Sequence, residues 1–303
     1  MNSLTGTGSL VRLILRRDRA LIPIWVLFMA LLPLGTASGT VSLYPTDEAR
    51  RGYIDGLGSS PLLIMFYGVT PAESSLGALI FWRMANGMVV MALIGLLMVI
   101  RHTRVEEEAG RRELLGSTVV GRHANLTAAL IATGGTSLLV GLLVALGMMS
   151  QGAAAGGSVA MGLAWACAGI VFAAIGAVCA QLTEGAGAAR SIGISVVGVA
   201  FVLRAAADVS GVDGGLRWMS WISPLGWSYE VHAYTDDRWW VFGLAAVFTV
   251  AVSGAAMALS AGRDVGAGLL PPRLGPAQAS PRLRSPLALA WRLHSGALTA
   301  WVV

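Results

Sequence analysis

Lysine is absent from this chain; all 21 basic residues are arginine. That absence excludes one mechanism outright. A phosphate-binding loop of the form G-x-x-x-x-G-K-[ST] needs its lysine on the nucleotide phosphates. Any ATP that drives this protein must therefore be bound by another polypeptide. Cysteine is scarce too, with only Cys167 and Cys179, twelve residues apart in one apolar run. On a helix they point to different faces and cannot pair, so they read as small packing residues. Catalytic clusters are missing as well. Ser, His and acidic residues never gather around a nucleophile. His232 has Glu230, Asp236 and Asp237 nearby but no second His and no Cys, which fits a wet interfacial histidine better than a metal ligand. The sequence reads as no enzyme, with no cofactor or metal of its own.

Charge is also sparse. Only 12% of residues are charged, against about a quarter in a soluble domain. Apolar residues fill the space: 55% of the chain is hydrophobic and the mean hydropathy is +0.71. Six long apolar runs stand out, at 20–41, 79–100, 126–149, 159–180, 191–207 and 239–261. A hydrocarbon layer about 30 Å thick is crossed by roughly 20 helical residues. The fold class is therefore an all-α polytopic membrane protein with six transmembrane helices, the fifth being the shortest. A signal peptide is the rival reading of the first run. Its apolar core would be only about 7–15 residues, whereas this run is longer, contains Pro23 and Pro33, and precedes further spans. It reads as a retained helix.

The net charge of +5 prompts a nucleic-acid hypothesis, but the arginine positions answer it better. With the N-terminus inside, fifteen arginines face the cytoplasm and only Arg50, Arg51, Arg217 and Arg238 face outward. Positive charge retained inside sets this orientation. Both termini and the 101–124 loop are expected to be cytoplasmic, in a plasma-membrane protein with no nucleic-acid role.

Residues 1–19 precede the first span. Arg12, Arg16 and Arg19 fall on one helical face with Val11, Leu13, Ile14 and Leu15 elsewhere, as in an interfacial elbow helix; a plain extension of span one is the alternative. Residues 20–262 form the transmembrane domain. Five of the ten tryptophans lie between Trp218 and Trp240, within and just after its outer segment 210–238. Such residues settle at membrane interfaces, so short helices broken at Pro224 are expected there. Residues 263–285, rich in Pro and Arg, read as a linker. Residues 286–303 read as the start of a second repeat. At a constant offset of 276, Ser285, Leu289, Arg292, Trp301 and Val302 align with Ser9, Leu13, Arg16, Trp25 and Val26. A parent of about 552 residues, twice that offset, would carry two parallel repeats.

The loop 101–124 concentrates nine of the 37 charged residues. Glu107 and Arg111 stand at i, i+4, as do Glu108 and Arg112, each pair in the favourable order. They can extend span two as a solvated helix. Leu114 and Leu115 then present an apolar knob, Gly116 permits a reversal, and Asn125 can cap span three. This suits docking on a cytoplasmic protein; an ordinary solvated loop is the alternative.

The run 106–122, EEEAGRRELLGSTVVGR, resembles the cytoplasmic loop of ABC type-2 exporter permeases. In that family a Glu-rich start, a Gly, Glu-Leu-Leu and a final Arg form the coupling helix that meets the ATPase. The matching positions are Glu106, Glu108, Gly110, Glu113, Leu114, Leu115, Val119, Val120 and Arg122. Ser223-Pro224-Leu225-Gly226-Trp227 and Arg263-Asp264-Val265-Gly266-Ala267-Gly268 also fit. The order and spacing resemble the actinobacterial branch that exports polyketide antibiotics, tetronasin-like ionophores and drugs. Members of that branch usually carry two six-span halves. The resemblance implies a dimeric cytoplasmic ABC ATPase that holds ATP and Mg²⁺, a second permease half or a homodimer mate, and hydrophobic small-molecule cargo. An ion- or proton-coupled secondary transporter is the alternative.

Arginine is costly inside a bilayer and tends to be buried and functional there. Arg204 and Asp208 stand at i, i+4 near the outer end of span five, and Arg83 and Asn86 open span two. These four are candidates for the cargo path. The alternative is that Arg83 and Arg204 snorkel to the outer headgroups and brace the helices.

Overall fold

The computed structural model describes residues 3–57, 60–110, 120–211, 214–263, 267–270, 278, 283 and 285–302. Among them every regular element is a helix. In chain order these are α1 Thr7–Arg17, α2 Leu21–Leu43, α3 Asp47–Leu57, α4 Pro61–Tyr67, α5 Leu76–Arg83, α6 Asn86–His102 and α7 Arg104–Glu108. There follow α8 Ala124–Ser150, α9 Ala155–Leu182, α10 Ala186–Val209, α11 Met219–Ile222, α12 Pro224–Glu230, α13 Trp240–Ala261 and α14 Pro286–Val302. The chain divides into a bundle ending at Leu270 and a second unit from Pro271 that contains α14.

Six helices are long and apolar enough to cross a bilayer: α2, α6 continued by α7, α8, α9, α10 and α13. The fifth, expected only over 191–207, has 24 residues and reaches from Ala186 to Val209. The second departs from expectation at its start. The apolar run 79–100 is not one helix, because α5 ends at Arg83 and α6 begins at Asn86. Across the join, Ala85, Gly87 and Met88 donate to carbonyls three residues back rather than four. The ladder has tightened into a 3₁₀-like turn. Hydropathy cannot register this, since the join itself stays apolar.

Helix α9 is the centre of the bundle, with 19 of its 28 residues buried. It packs against α6, α8 and α13. Its Gly and Ala content explains why. A Cβ on Gly141 of α8 would collide with the Gly162 carbonyl of α9, and one on Gly95 of α6 with the Gly169 carbonyl. In lipid, no hydrophobic drive pulls helices together, so close backbone approach must supply the packing. The outward faces are apolar: Leu139, Leu142 and Leu146 of α8, Val199 and Val202 of α10, and Val247 and Val250 of α13 are exposed.

Helix α1 is separate from α2. It buries Leu10 and Ile14 against Ala124, Ala128 and Ala132 of α8, while Arg12, Arg16 and Arg17 stay exposed. Asn125 does not cap α8, whose N-cap is His123; its amide donates to the His102 carbonyl at 3.3 Å instead.

Candidate functional site

The ionisable side chains of the bundle collect at its two ends. At the aromatic end, Ser223 caps α12 by accepting from the Gly226 amide at 3.1 Å, and Pro224 occupies the first turn. The Ser223 hydroxyl also donates to the Ala200 carbonyl of α10 at 2.7 Å, which seats the short helices on the bundle. The segment is thus helical and broken at Pro224, as its sequence predicts.

Arg204 is fully buried. Its guanidinium lies between the rings of Phe201 and Tyr229, 4.7 and 4.4 Å from their centroids. It donates to Asp208 at 3.1 Å and to the Met65 carbonyl at the end of α4 at 2.6 Å. Snorkelling to headgroups is therefore not what Arg204 does. It is enclosed by aromatic faces and by carbonyls at the end of α4. Tyr229 in turn donates to the Ala85 carbonyl at 2.9 Å, inside the tightened turn before α6. Burial pushes the Tyr229 hydroxyl up to about 12, so it stays a donor.

From Asp208 the charges alternate. Asp208 accepts from Arg217 at 3.0 Å, and Arg217 reaches Glu230 at 2.5 Å. Glu230 also accepts from Arg238 at 3.1 Å and from the Ser220 hydroxyl at 2.9 Å, and Arg238 holds Asp236 at 3.0 Å. His232 lies 3.6 Å from Glu230 and 3.7 Å from Asp236. Burial lowers the pKa of this imidazole, with Arg238 and Arg217 adding to the effect against Glu230 and Asp236. The hydrogen bond from Arg238 keeps the Asp236 carboxyl below its ordinary value. Among the described residues no group of three potential ligands could hold a metal. A cavity of about 400 Å³ opens against this network, between the loop after α4, α5 and the 217–238 segment.

Arg83 belongs to a different set of contacts. It donates to the Thr40 hydroxyl of α2 at 3.1 Å and lies over the Tyr53 ring of α3 at 5.4 Å. Asn86 opens α6, half-buried. The contacts of Arg83 thus run to α2 and α3, and those of Arg204 and Asp208 to α4, α12 and Arg217.

At the basic end, the three consecutive glutamates each hold a different element. Glu106 pairs with Arg17 of α1. Glu107, almost completely buried, lies 2.5 Å from Arg104 and 3.0 Å from Arg263 beyond α13. Glu108 accepts from the Ala186 amide at the start of α10 at 3.1 Å. The expected solvated extension of span two is therefore corrected in part: Glu107 is buried between arginines, Glu106 is half-buried, and Glu108 stays exposed while it meets the N-terminus of α10. Arg263 also donates to Gln181 at 2.8 Å, and burial lowers its pKa. Gly110 adopts a left-handed φ of 69°, and Arg122 donates to the Ala261 carbonyl. Arg111, Arg112, Glu113, Leu114, Leu115 and Gly116 lie outside the described residues, so neither the predicted i, i+4 pairs nor the apolar knob has a structural account.

Several site residues escape sequence reasoning. Asp18 is buried, 2.8 Å from Arg101 and 2.9 Å from His102. Glu230 was visible only as a neighbour of His232, Arg217 and Arg238 only as outward-facing arginines, and Tyr229 only as a member of an aromatic segment. The available signal was weak: acids and arginines facing one another at corresponding ends of different spans.

Fold and sites together define a polytopic all-α membrane protein whose charged networks close both ends of its bundle. No family model matches the sequence. The chain is 44% identical over 301 residues to the multidrug efflux system permease protein of Mycobacterium tuberculosis, an alignment that covers 99% of this chain and 54% of that protein. The chain thus spans about half the length of that relative.

Proposed function

We propose that this chain is a membrane-spanning permease portion of an ATP-driven ABC exporter that moves hydrophobic or amphiphilic compounds, drugs and antibiotics among them, out of the cell. The similarity to a multidrug efflux permease along nearly the whole chain carries this reading. ATP and Mg²⁺ would sit on a separate ATPase dimer. The 101–124 loop would meet that ATPase in the cytoplasm, with Glu106, Glu107, Glu108, Gly110, Arg111, Glu113, Leu114, Leu115 and Arg122 as the coupling set. The tethers of Glu106, Glu107 and Glu108 support such a role, because a displacement there is shared by α1, α10 and the end of α13. A second six-span half, in the same chain or a mate, would complete the path. The branch exporting tetronasin-like ionophores supplies the cargo class.

A proton-coupled carrier needs ionisable groups near the membrane midplane. Within the six spans, every Asp, Glu, Arg and His lies within about two turns of a helix end. The experiment is efflux of a fluorescent drug from cells expressing this chain with its ATPase. Loss of efflux on ATP depletion, with persistence under a protonophore, is expected. Efflux that survives ATP depletion and collapses with the proton gradient overturns the proposal.

A further inference from the structure

The cavity at the aromatic end has features that the exporter reading does not use. Its volume of about 400 Å³ falls within the range of small-molecule sites. Its wall has two characters. Phe81, Trp82, Trp221 and Tyr229 contribute aromatic surface, and Arg217, Glu230, Asp236 and Arg238 contribute ionic groups.

The ionic groups are paired among themselves. Asp208 is held by Arg204 and Arg217, Glu230 by Arg217 and Arg238, and Asp236 by Arg238. Three carboxylates thus balance three guanidiniums. A charged ligand would have to break one of these pairs or bring an uncompensated charge against a partly buried wall, and either is costly. Hydroxyl and ether oxygens meet no such penalty. Each guanidinium has five N–H donors, and Arg217 commits only its two terminal nitrogens to carboxylates.

The wall is also preformed. His232, Tyr234 and Asp237 have φ of 49°, 68° and 44°, a region that side chains other than glycine adopt at a cost and that recurs at ligand clamps. The conformation is held by the Tyr234 amide, which donates to Asp237 at 2.8 Å, and by the Tyr234 hydroxyl, which donates to Ser158 at 3.0 Å. Trp82 fixes the Gly68 loop by donating to its carbonyl at 3.0 Å. Trp218, Trp239 and Trp240, near the lining residues in sequence, are about half exposed, as suits side chains at a membrane interface.

We infer that this cavity binds an uncharged amphiphile, its hydroxyl- or ether-bearing end on Arg217 and Arg238 and its apolar body on Trp82 and Trp221. Resting on the exporter reading, this makes the cavity the outward station of cargo. An uncharged membrane glycolipid has the same chemistry, and the test separates the two sources.

The full chain is placed in nanodiscs of zwitterionic lipid with three photoreactive probes that share a dodecyl chain: a glucoside, a trimethylammonium and a sulfate. Cross-linked peptides are mapped by mass. The glucoside is expected to label 67–85 and 217–238 about ten-fold more than either ion. Val69→Trp, at the cavity rim and 38% exposed, is expected to lower that labelling about ten-fold by filling the space. Val247→Trp, on the apolar face of α13 and 70% exposed, should leave it unchanged and controls for folding. Adding glucosyl diacylglycerol to the disc separates sources: lost labelling assigns the site to a membrane lipid, retained labelling to a solute, and both uphold the site. Equal labelling by an ionic probe, or labelling indifferent to Val69→Trp, overturns it. No ATPase or ATP is present, so failure here is distinct from failure of ATP coupling.

Discussion

Arg204 and Tyr229 lie face to face, the guanidinium carbon 4.4 Å from the ring centroid, and the same tyrosine donates to the Ala85 carbonyl at 2.9 Å. One side chain thereby joins the ion pair of α10 to the tightened turn that precedes α6. Tyr229→Phe keeps the stacking and loses the hydrogen bond, so it should cost about 1 kcal/mol. Arg204→Met should cost about 3–5 kcal/mol, because it strips a buried carboxylate of a partner. Combining Arg204→Met with Asp208→Asn should cost less than the sum of the two singles. Thermal unfolding of the purified variants in one detergent measures all of these.

The glutamates of α7 should differ sharply from one another. The Arg17 side chain that meets Glu106 is 41% exposed, whereas Arg104 and Arg263 on Glu107 are 0% and 4% exposed. Glu106→Gln should change stability by less than about 1 kcal/mol. Glu107→Gln removes the carboxylate that two buried guanidiniums share and should cost about 3–5 kcal/mol. The yield of monodisperse protein after mild heating ranks the two variants; equal yields would refute the contrast.

Acid should loosen the aromatic end through His232. Its pKa is depressed, chiefly by burial. The folded state therefore holds fewer protons than the unfolded one as pH falls below about 6.5. Stability present above that value is lost as pH descends through the lowered folded-state pKa. His232→Gln should flatten this dependence, seen as a smaller drop in Tm than wild type between about pH 7.5 and about pH 5.

Glycines that look alike in sequence should behave differently. A Cβ on Gly162 would strike the Gly141 carbonyl, whereas one on Gly135 meets nothing within 4 Å. Gly162→Ala should destabilise by about 1–3 kcal/mol through overpacking. Gly135→Ala should be neutral or gain up to about 1 kcal/mol in helix propensity. Denaturation in a common detergent distinguishes them.

Much of the fold was legible because bilayer thickness imposes a length that hydropathy reports directly. Five of the six runs reappear as single helices and the run 79–100 as two, and Ser223-Pro224 marks the start of α12 as capping chemistry dictates. The Arg204–Asp208 pair was legible from i, i+4 spacing. What was not legible depends on tertiary partners. Nothing in the local sequence joins Glu107 to Arg263, 156 positions away, or Asp18 to His102. The tightened turn at Met84 and Ala85 leaves no mark in hydropathy, because the join is itself apolar, and the phenol on α12 that donates to the Ala85 carbonyl is 144 positions away.

The confinement of formal charge to the two ends of the spans has an electrical consequence. A membrane voltage falls mainly across the hydrocarbon, and each elementary charge carried through 100 mV is worth about 2.3 kcal/mol. Tilting or sliding these helices moves almost no charge through that field, and Arg204 travels with its counter-ion Asp208. The bundle offers the voltage nothing to pull on, so its conformational equilibrium should be the same in polarised and depolarised cells.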